Sequence, residues 1–468
     1  MTYFSAIPVP ETTVGIAIET VRGTPEPPAY WLPIMGPKYK PDLQLLPDEG
    51  LRGSMVTLYD EIPGLRYDSH AWDSYPYLDS FPVFERALLG SADNLTAAVP
   101  GAAVTELFAE AKPGDKKIIT VATLVEGVSY VIDFGTASAE TVVAGKPVKL
   151  GVGEWEAPVA ALAIKHEAKA AVTAAAIKLT AEAKVGAKEI AASTKVAGGY
   201  LVIGVGAGKQ ETVLVTEEKA GKLVLAYPLV FTHAIESPIV SLTSHAFSLQ
   251  NEEPAEGNQP PSCSIVDFAG EENWRQLARA QLNALTLTGS AESLPKAAMD
   301  WFADRAIVPS PTPTPAFSVA EAPPGWTAVA SVGGVQIGYL VSWEFGQKRG
   351  VKNIPAVTGS QKYYQHFAGA LDATAKITVL EDPEATWLTA FENGELESID
   401  FTLSDVESGF ALNLHSSKAK FTQGSLDRSK EWVEVPLDVQ LIPSEADALA
   451  GGVSPIVATI ANAQTTAY

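Results

Sequence analysis

The feature of this sequence that most restricts its fold is an internal repeat near the middle of the chain. Residues 114–143 and 185–214 align with an offset of 71 positions, so that Ile119 falls on Ile190. Each copy is a series of short runs rich in β-branched residues, separated by Gly, Ser and Lys. Runs of this kind between turn-forming residues predict antiparallel strands. Two copies are too few for a solenoid, so we expect a pair of small β-modules.

The composition of the chain changes on both sides of this repeat. Residues 101–236 carry 14 basic and 15 acidic side chains, every base among them is Lys, and Trp155 is the segment's one Trp. Residues 1–100 carry 6 bases and 13 acids, and residues 237–468 carry 13 bases and 27 acids. We therefore expect 101–236 to be an inserted β-domain. Residues 1–100 and 237–468 would then form the N-terminal and C-terminal parts of one core.

Alternation of apolar and polar residues dominates the two flanks. It predicts strands at residues 13–19, 239–249, 336–345, 373–380, 397–403 and 432–441. Helical spacing is confined to residues 81–89, where Gly90 would end the helix, and to residues 383–391. Two stretches leave helix and strand open, residues 157–184 and residues 274–282. The predicted fold class is mainly β, with two or three short helices.

The overall composition excludes several classes of protein. With 468 residues, 46% of them apolar and 19% charged, the chain has ample material for a folded core. A single Cys excludes an internal disulfide framework, and six scattered His give no metal-binding spacing. The sequence contains no run of about 18 apolar residues, so we expect no membrane span. The N-terminal residues do not resemble a secretory signal. The formal charge of −22 argues against binding nucleic acid by neutralising its phosphates.

Motifs that could carry chemistry have simpler structural explanations. Gly204, Gly206 and Gly208 resemble a nucleotide-binding loop, but the residues after them predict a strand where that loop needs a helix. Adjacent carboxylates are expected on so acidic a surface, and Cys263 has the default role of a buried, inert thiol. Structural or surface roles are expected for His166, His233, His245, His366 and His415. We predict no catalytic residue, no metal site and no cofactor.

Several segments of the flanks, taken in order, resemble the major tail or tail tube proteins of long-tailed, siphovirus-type bacteriophages. The segments that carry the resemblance are residues 15–25, 31–34, 49–54, 84–90, 261–267, 284–289, 339–345, 350–355 and 369–391. The likeness covers roughly residues 1–98 and 237–445. The insert at 101–236 departs from a minimal tube protein, and its modules look like β-modules of other phage structural proteins.

This resemblance implies a fold, an assembly and a set of partners. The fold would be a tail-tube-type β-sandwich or barrel with a flanking helix. Six copies would form a ring, and stacked rings would form the tail tube, assembled in the host cytoplasm and carried in the virion. Expected partners are further copies of the chain, the tape measure protein, the tail terminator and baseplate proteins. Double-stranded DNA would pass through without specific binding, and neither a membrane nor a cofactor is implied.

Two sets of residues are predicted to serve the assembly. Acids in the lumen would repel the phosphates of DNA, and the local density of acids suggests Glu395, Glu397, Asp400, Asp405 and Glu407. Buried aromatic residues dominate the energetics of protein interfaces, and the aromatic-rich stretch 53–82 suggests inter-subunit contacts by Tyr59, Tyr67, Trp72, Tyr75, Tyr77 and Phe81. Some of these aromatics could instead form a sugar-binding platform. The near-neutral insert would lie on the outside of the tube.

Three other functions fit parts of the sequence. The chain could be another tail component with the same fold, such as a terminator or a baseplate hub. It could be a cell-surface adhesin built from β-modules. It could also be a polysaccharide-degrading enzyme, which would need a pair of carboxylates in a cleft.

Overall fold

The computed structural model of the chain is built almost entirely from antiparallel strands. It describes residues 12–468 except 51, 54, 97, 99–102, 125–128, 134–137, 139, 152–153, 175–176, 194–195, 197, 206–208, 252–258, 270–273, 310–312, 318–320, 338, 381–393, 430 and 450. The mainly β fold class predicted from the sequence is confirmed.

The elements follow the order of the three sequence segments. The first segment contains β1 (Thr13–Ile18), β2 (Tyr30–Leu32), β3 (Ile34–Asp48), β4 (Asp60–Ser74), α1 (Pro82–Leu89) and β5 (Asn94–Thr96). The middle segment contains β6 (Ala103–Glu106), β7 (Lys117–Thr120), β8 (Ser129–Ile132), β9 (Glu140–Val143), β10 (Val148–Gly151), β11 (Glu154–Pro158), β12 (Ala171–Ala174), β13 (Ile177–Lys178), β14 (Glu189–Ala191), β15 (Gly199–Ile203), β16 (Glu211–Lys219) and β17 (Lys222–Leu225). The next strand, β18 (Pro238–Ser241), lies just beyond residue 236 and pairs with the strands of this segment.

The C-terminal segment supplies the remaining strands. They are β19 (Thr243–Ser248), β20 (Cys263–Phe268), β21 (Trp274–Ser290), β22 (Lys296–Ala303), β23 (Val329–Val332), β24 (Val335–Gln336), β25 (Leu340–Lys348), β26 (Lys352–Ile354), β27 (Gln365–Phe367), β28 (Asp372–Leu380), β29 (Leu396–Ser404), β30 (Ala411–Gly424), β31 (Glu434–Leu441) and β32 (Val457–Asn462). Short 3-10 turns lie at Gly325–Thr327 and Glu445–Asp447.

The middle strands form two modules with sheets of their own. The first combines the three-stranded sheet β10-β11-β7 with the four-stranded sheet β6-β12-β8-β9, and the second is the six-stranded sheet of β13 to β18. Each module encloses a separate hydrophobic cluster. Ala111 and His166 exchange two backbone hydrogen bonds of 2.9 Å in the first module, and Ala183 and His233 exchange bonds of 3.0 and 2.8 Å in the second. The two modules therefore close in the same way.

The flanking strands form one branched, antiparallel sheet of 17 strands, which contains the same four-stranded unit twice. The first unit has the spatial order β3–β4–β22–β21, and the second has the order β25–β28–β31–β30. Because β21 pairs with β25, the two units make a continuous run of eight strands. Behind the first unit, β21 pairs with β20, β20 with β1, and β1 with β2. Behind the second unit, β30 pairs with β29, β29 with β23, and β23 with β24, which is the same series.

Irregularities in strand register also fall at the same places in the two units. The β21–β22 register shifts just before Ala284, and the β30–β31 register shifts just before Gln423. The β20–β21 register shifts just before Ile265, and the β29–β30 register shifts just before Ile399. A β-bulge is a defined feature of a fold and not a random defect. Matching pairings and matching bulges identify the two units as copies of one architecture.

The main hydrophobic core lies between the eight-stranded run and the strands behind it. Trp72 stacks on Trp301, with ring centroids 5.7 Å apart and planes 9° from parallel. Phe401 of β29 meets Trp343 and Phe345 of β25 at centroid distances of 5.4 and 4.8 Å. The strands behind the eight-stranded run therefore pack on its core-facing side, and its other face points away from the core.

The helix predicted at residues 81–89 is confirmed as α1. Proline at its start suits the first helical turn, and Gly90 ends it with φ of 91°, a left-handed conformation that glycine adopts without strain. Residues 274–282, left open by the sequence, belong to β21, and residues 157–184 contain short strands. In the described residues α1 is the one α-helix, fewer than predicted. The helix predicted at 383–391 lies outside the described residues.

Candidate assembly surfaces

The hairpin of β3 and β4 projects beyond the rest of the sheet. Residues 68–74 of β4 pair with β22 and fix the base of the hairpin. Residues 60–67 continue past β22 with β3 as their strand partner, a length of roughly 25 Å at the rise of an extended strand. A neighbouring segment supports the base of this part: the Arg66 backbone N–H donates to the Gln361 carbonyl at 3.0 Å, and the Gln361 amide donates to the Pro63 carbonyl at 3.3 Å. The Tyr67 ring lies 5.8 Å from that of Tyr363.

The far end of this hairpin is apolar on both of its faces. Leu46 and Ile62 are direct cross-strand partners and share one face, whereas Leu45 and Pro63 share the other. Leu45, Leu46 and Ile62 remain 47%, 45% and 54% exposed. Clustered apolar groups on the surface of a soluble protein mark contact sites. We call residues 43–63 the hairpin tip, and within one chain these three side chains keep about half of their surface exposed to solvent.

The outer edge of β3 is open. Among the described strands β3 pairs with β4 alone, whereas its counterpart β25 is covered on both sides by β21 and β28. Pro37, Pro41 and Pro47 interrupt β3, and proline is tolerated in a strand at a sheet edge because it lacks a backbone N–H. The first unit thus has a long open edge at β3. In the second unit the equivalent edge, at β25, is paired with β21.

The face of the eight-stranded run that points away from the core is polar, and we call it the polar face. Small and hydroxylated residues alternate on it with charged ones. The Lys376 ammonium lies 3.0 Å from the Glu344 carboxylate, and Asp438 is the cross-strand neighbour of Lys376. Asp300 occupies the same face of β22 and accepts a 2.8 Å hydrogen bond from the Asn283 amide. Lys376 therefore has carboxylates on both sides, which limits its attraction for phosphates.

The six aromatic residues predicted to contact other subunits fall into two groups. Trp72 and Phe81 are 2% and 1% exposed and belong to the core of the chain itself. The Tyr67 ring packs 5.6 Å from that of Phe302. The half-buried group, with surface left for a partner, consists of Tyr59, Tyr67, Tyr75 and Tyr77. Inter-subunit contact by these four tyrosines stays a prediction.

The five acids predicted to face the lumen do not form one row. Asp405 is buried and holds the turn after β29, where its Oδ2 accepts from the Ser408 backbone N–H at 2.9 Å. Asp400 lies 2.7 Å from Nδ1 of His415, and the hydrogen bond to this carboxylate raises the pKa of His415. The exposed or half-exposed members of the set are Glu395, Glu397 and Glu407.

The second module packs over the strands behind the eight-stranded run. The Thr212 hydroxyl donates to the Gly409 carbonyl at 2.6 Å, and the Gln210 amide donates to the Glu407 carbonyl at 2.6 Å. Next to this contact lies a cleft of about 870 Å³, lined from the module by tyrosines and from the strands by Asp400 and His415 among others. Asp400 and the module thus share one side of the molecule, and the polar face occupies the opposite side.

Four of the histidines predicted to have structural or surface roles have carboxylate or amide partners. Nδ1 of His245 lies 2.7 Å from Asp93, Nδ1 of His166 lies 2.7 Å from Asp133, and Nε2 of His233 lies 2.6 Å from Glu211. Among them, His366 contacts Asn353 and Asp304. Cys263 is fully buried, and burial raises the pKa of its thiol, as an inert role requires. In the described part of the chain no group of three or more His, Cys, Asp or Glu could hold a metal ion.

Comparison with known proteins identifies the family. The helices of the described residues include none long and apolar enough to cross a membrane. No protein with a curated description matches the chain. The sequence model of one family, described as phage tail tube protein, matches residues 10–461. The chain therefore belongs to the phage tail tube protein family, as the resemblance implied, and is a structural protein of the virion tail and not an enzyme.

Proposed function

We propose that the chain forms closed rings that stack into the tail tube of a siphovirus-type phage and that double-stranded DNA is ejected through the bore. The family places the chain in a self-assembling tube. The tape measure protein would occupy the bore before ejection, and the tail terminator and baseplate proteins would bind the two ends.

The observation that carries this proposal is the hairpin tip, which is apolar on both faces. Leu46 and Ile62 on one face and Leu45 on the other are each about half exposed in the single chain. Strands that pair side by side around a ring run between its two rims, so a hairpin that extends beyond its neighbours points towards the next ring. We propose that the tip inserts between subunits of that ring, which removes both of its apolar faces from water.

The polar face is our candidate for the lining of the bore. It lies opposite the core, carries small residues, and has the Glu344 carboxylate beside Lys376. A bore of this kind offers few unpaired cations to the phosphates of DNA. We further propose that residues 101–236 form an inserted domain on the outer wall, because the second module packs on the side away from the polar face.

These two placements constrain the predicted acidic cluster. Asp400 lines the same cleft as the second module, so it faces the bore only if the modules do. With the modules outside, we propose that Asp300 and Asp438 of the polar face supply the acidic lining near the middle of the sheet. A lumenal position for Glu395, Glu397 and Glu407 stays a prediction.

Electron microscopy of the purified chain tests the proposal. The wild type should form long hollow polymers, whereas a terminator would form only single rings. The double variant Leu46→Asp, Ile62→Asp should remain folded and lose polymers, because two carboxylates would have to be buried at the contact. Val185→Asp, a control on the second module where Val185 is 62% exposed, should polymerise normally. Polymers from the double variant that match the wild type would contradict the role of the tip.

A further inference from the structure

The junction between the two units of the sheet points to how a second copy of the chain attaches. Inside the chain, residues 284–290 of β21 pair with residues 342–348 of β25. The counterpart of β21 in the second unit is β30, and the counterpart of β25 in the first unit is β3. These two strands lie at the two ends of the eight-stranded run. On the side that faces away from β31, β30 is paired with β29 only as far as Lys420. Among the described residues the following stretch, 421–427, has no strand on that side, and β3 has none on its outer edge.

The open end of β30 matches the paired end of β21 residue by residue. Thr288 is the last residue of β21 that pairs with β22, and Asp427 bridges the first residue of β31 in the same way. Leu287 and Leu426 directly precede them and so occupy equivalent positions. Leu287 is 2% exposed because β25 covers it, whereas Leu426 is 40% exposed. The second unit therefore keeps a leucine at a position that becomes buried only when another strand covers it.

The outer edge of β3 matches the junction edge of β25. The residue of β28 that lies opposite Phe345 also pairs, on its other side, with the residue that follows Asp438 in β31. In the same way, the residue of β4 that lies opposite Tyr39 also pairs with the residue that follows Asp300 in β22. Since both aspartates lie opposite the same bulge, Tyr39 corresponds to Phe345. Phe345 lies opposite Leu287 at the internal junction, so the strand that fits the open end of β30 is β3 of another copy.

We propose that copies of this chain join edge to edge, with β3 of one copy paired to residues 421–427 of the next in the register of the β21–β25 junction, and that three chains close one ring. This proposal rests on the proposed tube function. The register places Tyr39 opposite Leu426, Lys40 opposite Ser425 and Lys38 opposite Asp427. The strand directions alternate along the eight-stranded run, so the new pair is antiparallel like all the others.

The number of chains follows from the duplication. The family resemblance implies a ring of six copies, which assumes one tube unit in each copy. This chain supplies two units, so three chains provide the same six. A ring of three chains therefore contains six units and 24 strands. It also contains three copies of residues 101–236, because the second unit has no counterpart of these modules.

The rotational symmetry of purified wild-type tubes distinguishes this arrangement from a ring of six chains. Cross-sections averaged from electron micrographs should show three outer projections, one per chain, around a wall of six similar segments. Six chains in each ring would overturn the proposal and leave the tube function intact. Failure of the purified chain to form any tube or ring would instead overturn the tube function, and the present inference with it.

Cysteine cross-linking tests the register. In the variant Lys40→Cys, Ser425→Cys, the two positions of neighbouring copies should lie about 5 Å apart between Cα atoms, close enough for a disulfide. Oxidised tubes should yield covalent dimers and trimers on a denaturing gel, and nothing larger. The control Lys40→Cys, Lys420→Cys places the thiols roughly 17 Å apart and should yield monomers. Cross-linking that extends to hexamers would overturn the ring of three chains, and cross-linking that is equal in the two variants would overturn the register. Cys263 is fully buried and gives no background.

Discussion

Asp300 and Asp438 occupy the same position in the two units of the sheet. Asp300 lies opposite Ala284 and Asp438 lies opposite Gln423, and in both cases the register shifts just before the opposing residue. Both side chains are on the polar face and half-exposed. In a closed ring, one such carboxylate would recur in every unit at regular intervals around the bore.

Reversing these two charges should make the tube hold DNA. Tubes of Asp300→Lys, Asp438→Lys are expected to co-sediment with double-stranded DNA at about 50 mM salt and to release it at about 200 mM, because the added ammonium groups bind phosphates and displace counterions. The control Glu189→Lys, Glu236→Lys makes the same change in net charge on the second module. Equal retention of DNA by the two variants would contradict the lumenal position of the polar face.

Removing the stacked indole at the centre of the first unit should destabilise the chain strongly. Trp301 is fully buried, and its ring lies 5.7 Å from that of Trp72. Trp301→Ala is expected to lower the free energy of unfolding by about 3–5 kcal/mol, since it removes buried apolar surface and leaves a cavity. Chemical denaturation measures the loss. Trp326→Ala, at a site 61% exposed, should cost less than about 1 kcal/mol, and similar losses in the two variants would refute the core assignment.

The carboxyl of Glu85 should give the fold a dependence on pH. Glu85 is fully buried on α1, and burial raises its pKa from 4.5 to about 7, although the Gln347 amide donates to it at 3.1 Å. Between these pH values the unfolded chain binds fewer protons than the folded chain, so stability falls as pH rises, by ~3 kcal/mol in total.

The variant Glu85→Gln isolates this effect. A neutral amide has no proton to lose, so the variant should be more stable than the wild type at pH 8 and similar to it near pH 4. Denaturation curves at the two pH values give the difference. If the wild type and the variant lose the same stability between pH 4 and pH 8, Glu85 is not the group responsible.

The second module should depend on one carboxylate. Glu211 lies 2.6 Å from Nε2 of His233 and accepts backbone N–H bonds from Val230 and Phe231 at 2.8 and 3.0 Å. Glu211→Ala leaves these donors without a partner and should cost about 2–3 kcal/mol. Hydrogen exchange should show faster opening of β13 to β18 and unchanged exchange in β21 and β22.

An exposed carboxylate of the same module provides the control. Glu189 pairs with Lys222 at 3.1 Å, and both side chains are about half exposed. Glu189→Ala should change stability by less than about 1 kcal/mol, as is usual for surface ion pairs. Exchange rates in β13 to β18 that rise equally in the two variants would show that the contacts of Glu211 are not special.

Local features of the fold could be predicted from the sequence, whereas the pairing of distant strands could not. The helix α1 was predictable because Gly90 marks its end and apolar residues recur at helical spacing. The duplication was not predictable, because the two units share strand pairings and bulges but differ in their side chains. Cys263 corresponds to Glu397, and Trp301 corresponds to Val439. Such divergence is possible because backbone hydrogen bonds define a sheet, and different side chains can fill its core.

The candidate site was predictable only in outline. The aromatic stretch 53–82 pointed to the hairpin, yet Trp72 is buried because β4 lies between β3 and β22, a pairing that the sequence does not encode locally. The exposed leucines at 43, 45 and 46 carried a usable signal, since apolar residues on both faces of one strand exceed what a sheet with one buried face needs. Asp400 lies under the second module because of a contact between segments 197 residues apart.

A reconstruction of the purified, assembled chain by electron cryomicroscopy tests the central claim most directly. The account predicts a hollow tube whose wall is a continuous antiparallel sheet, with Asp300 and Asp438 facing the bore and residues 101–236 on the outside. A preparation that stays monomeric at high concentration, or a tube whose bore is lined by the modules and Asp400, would contradict it.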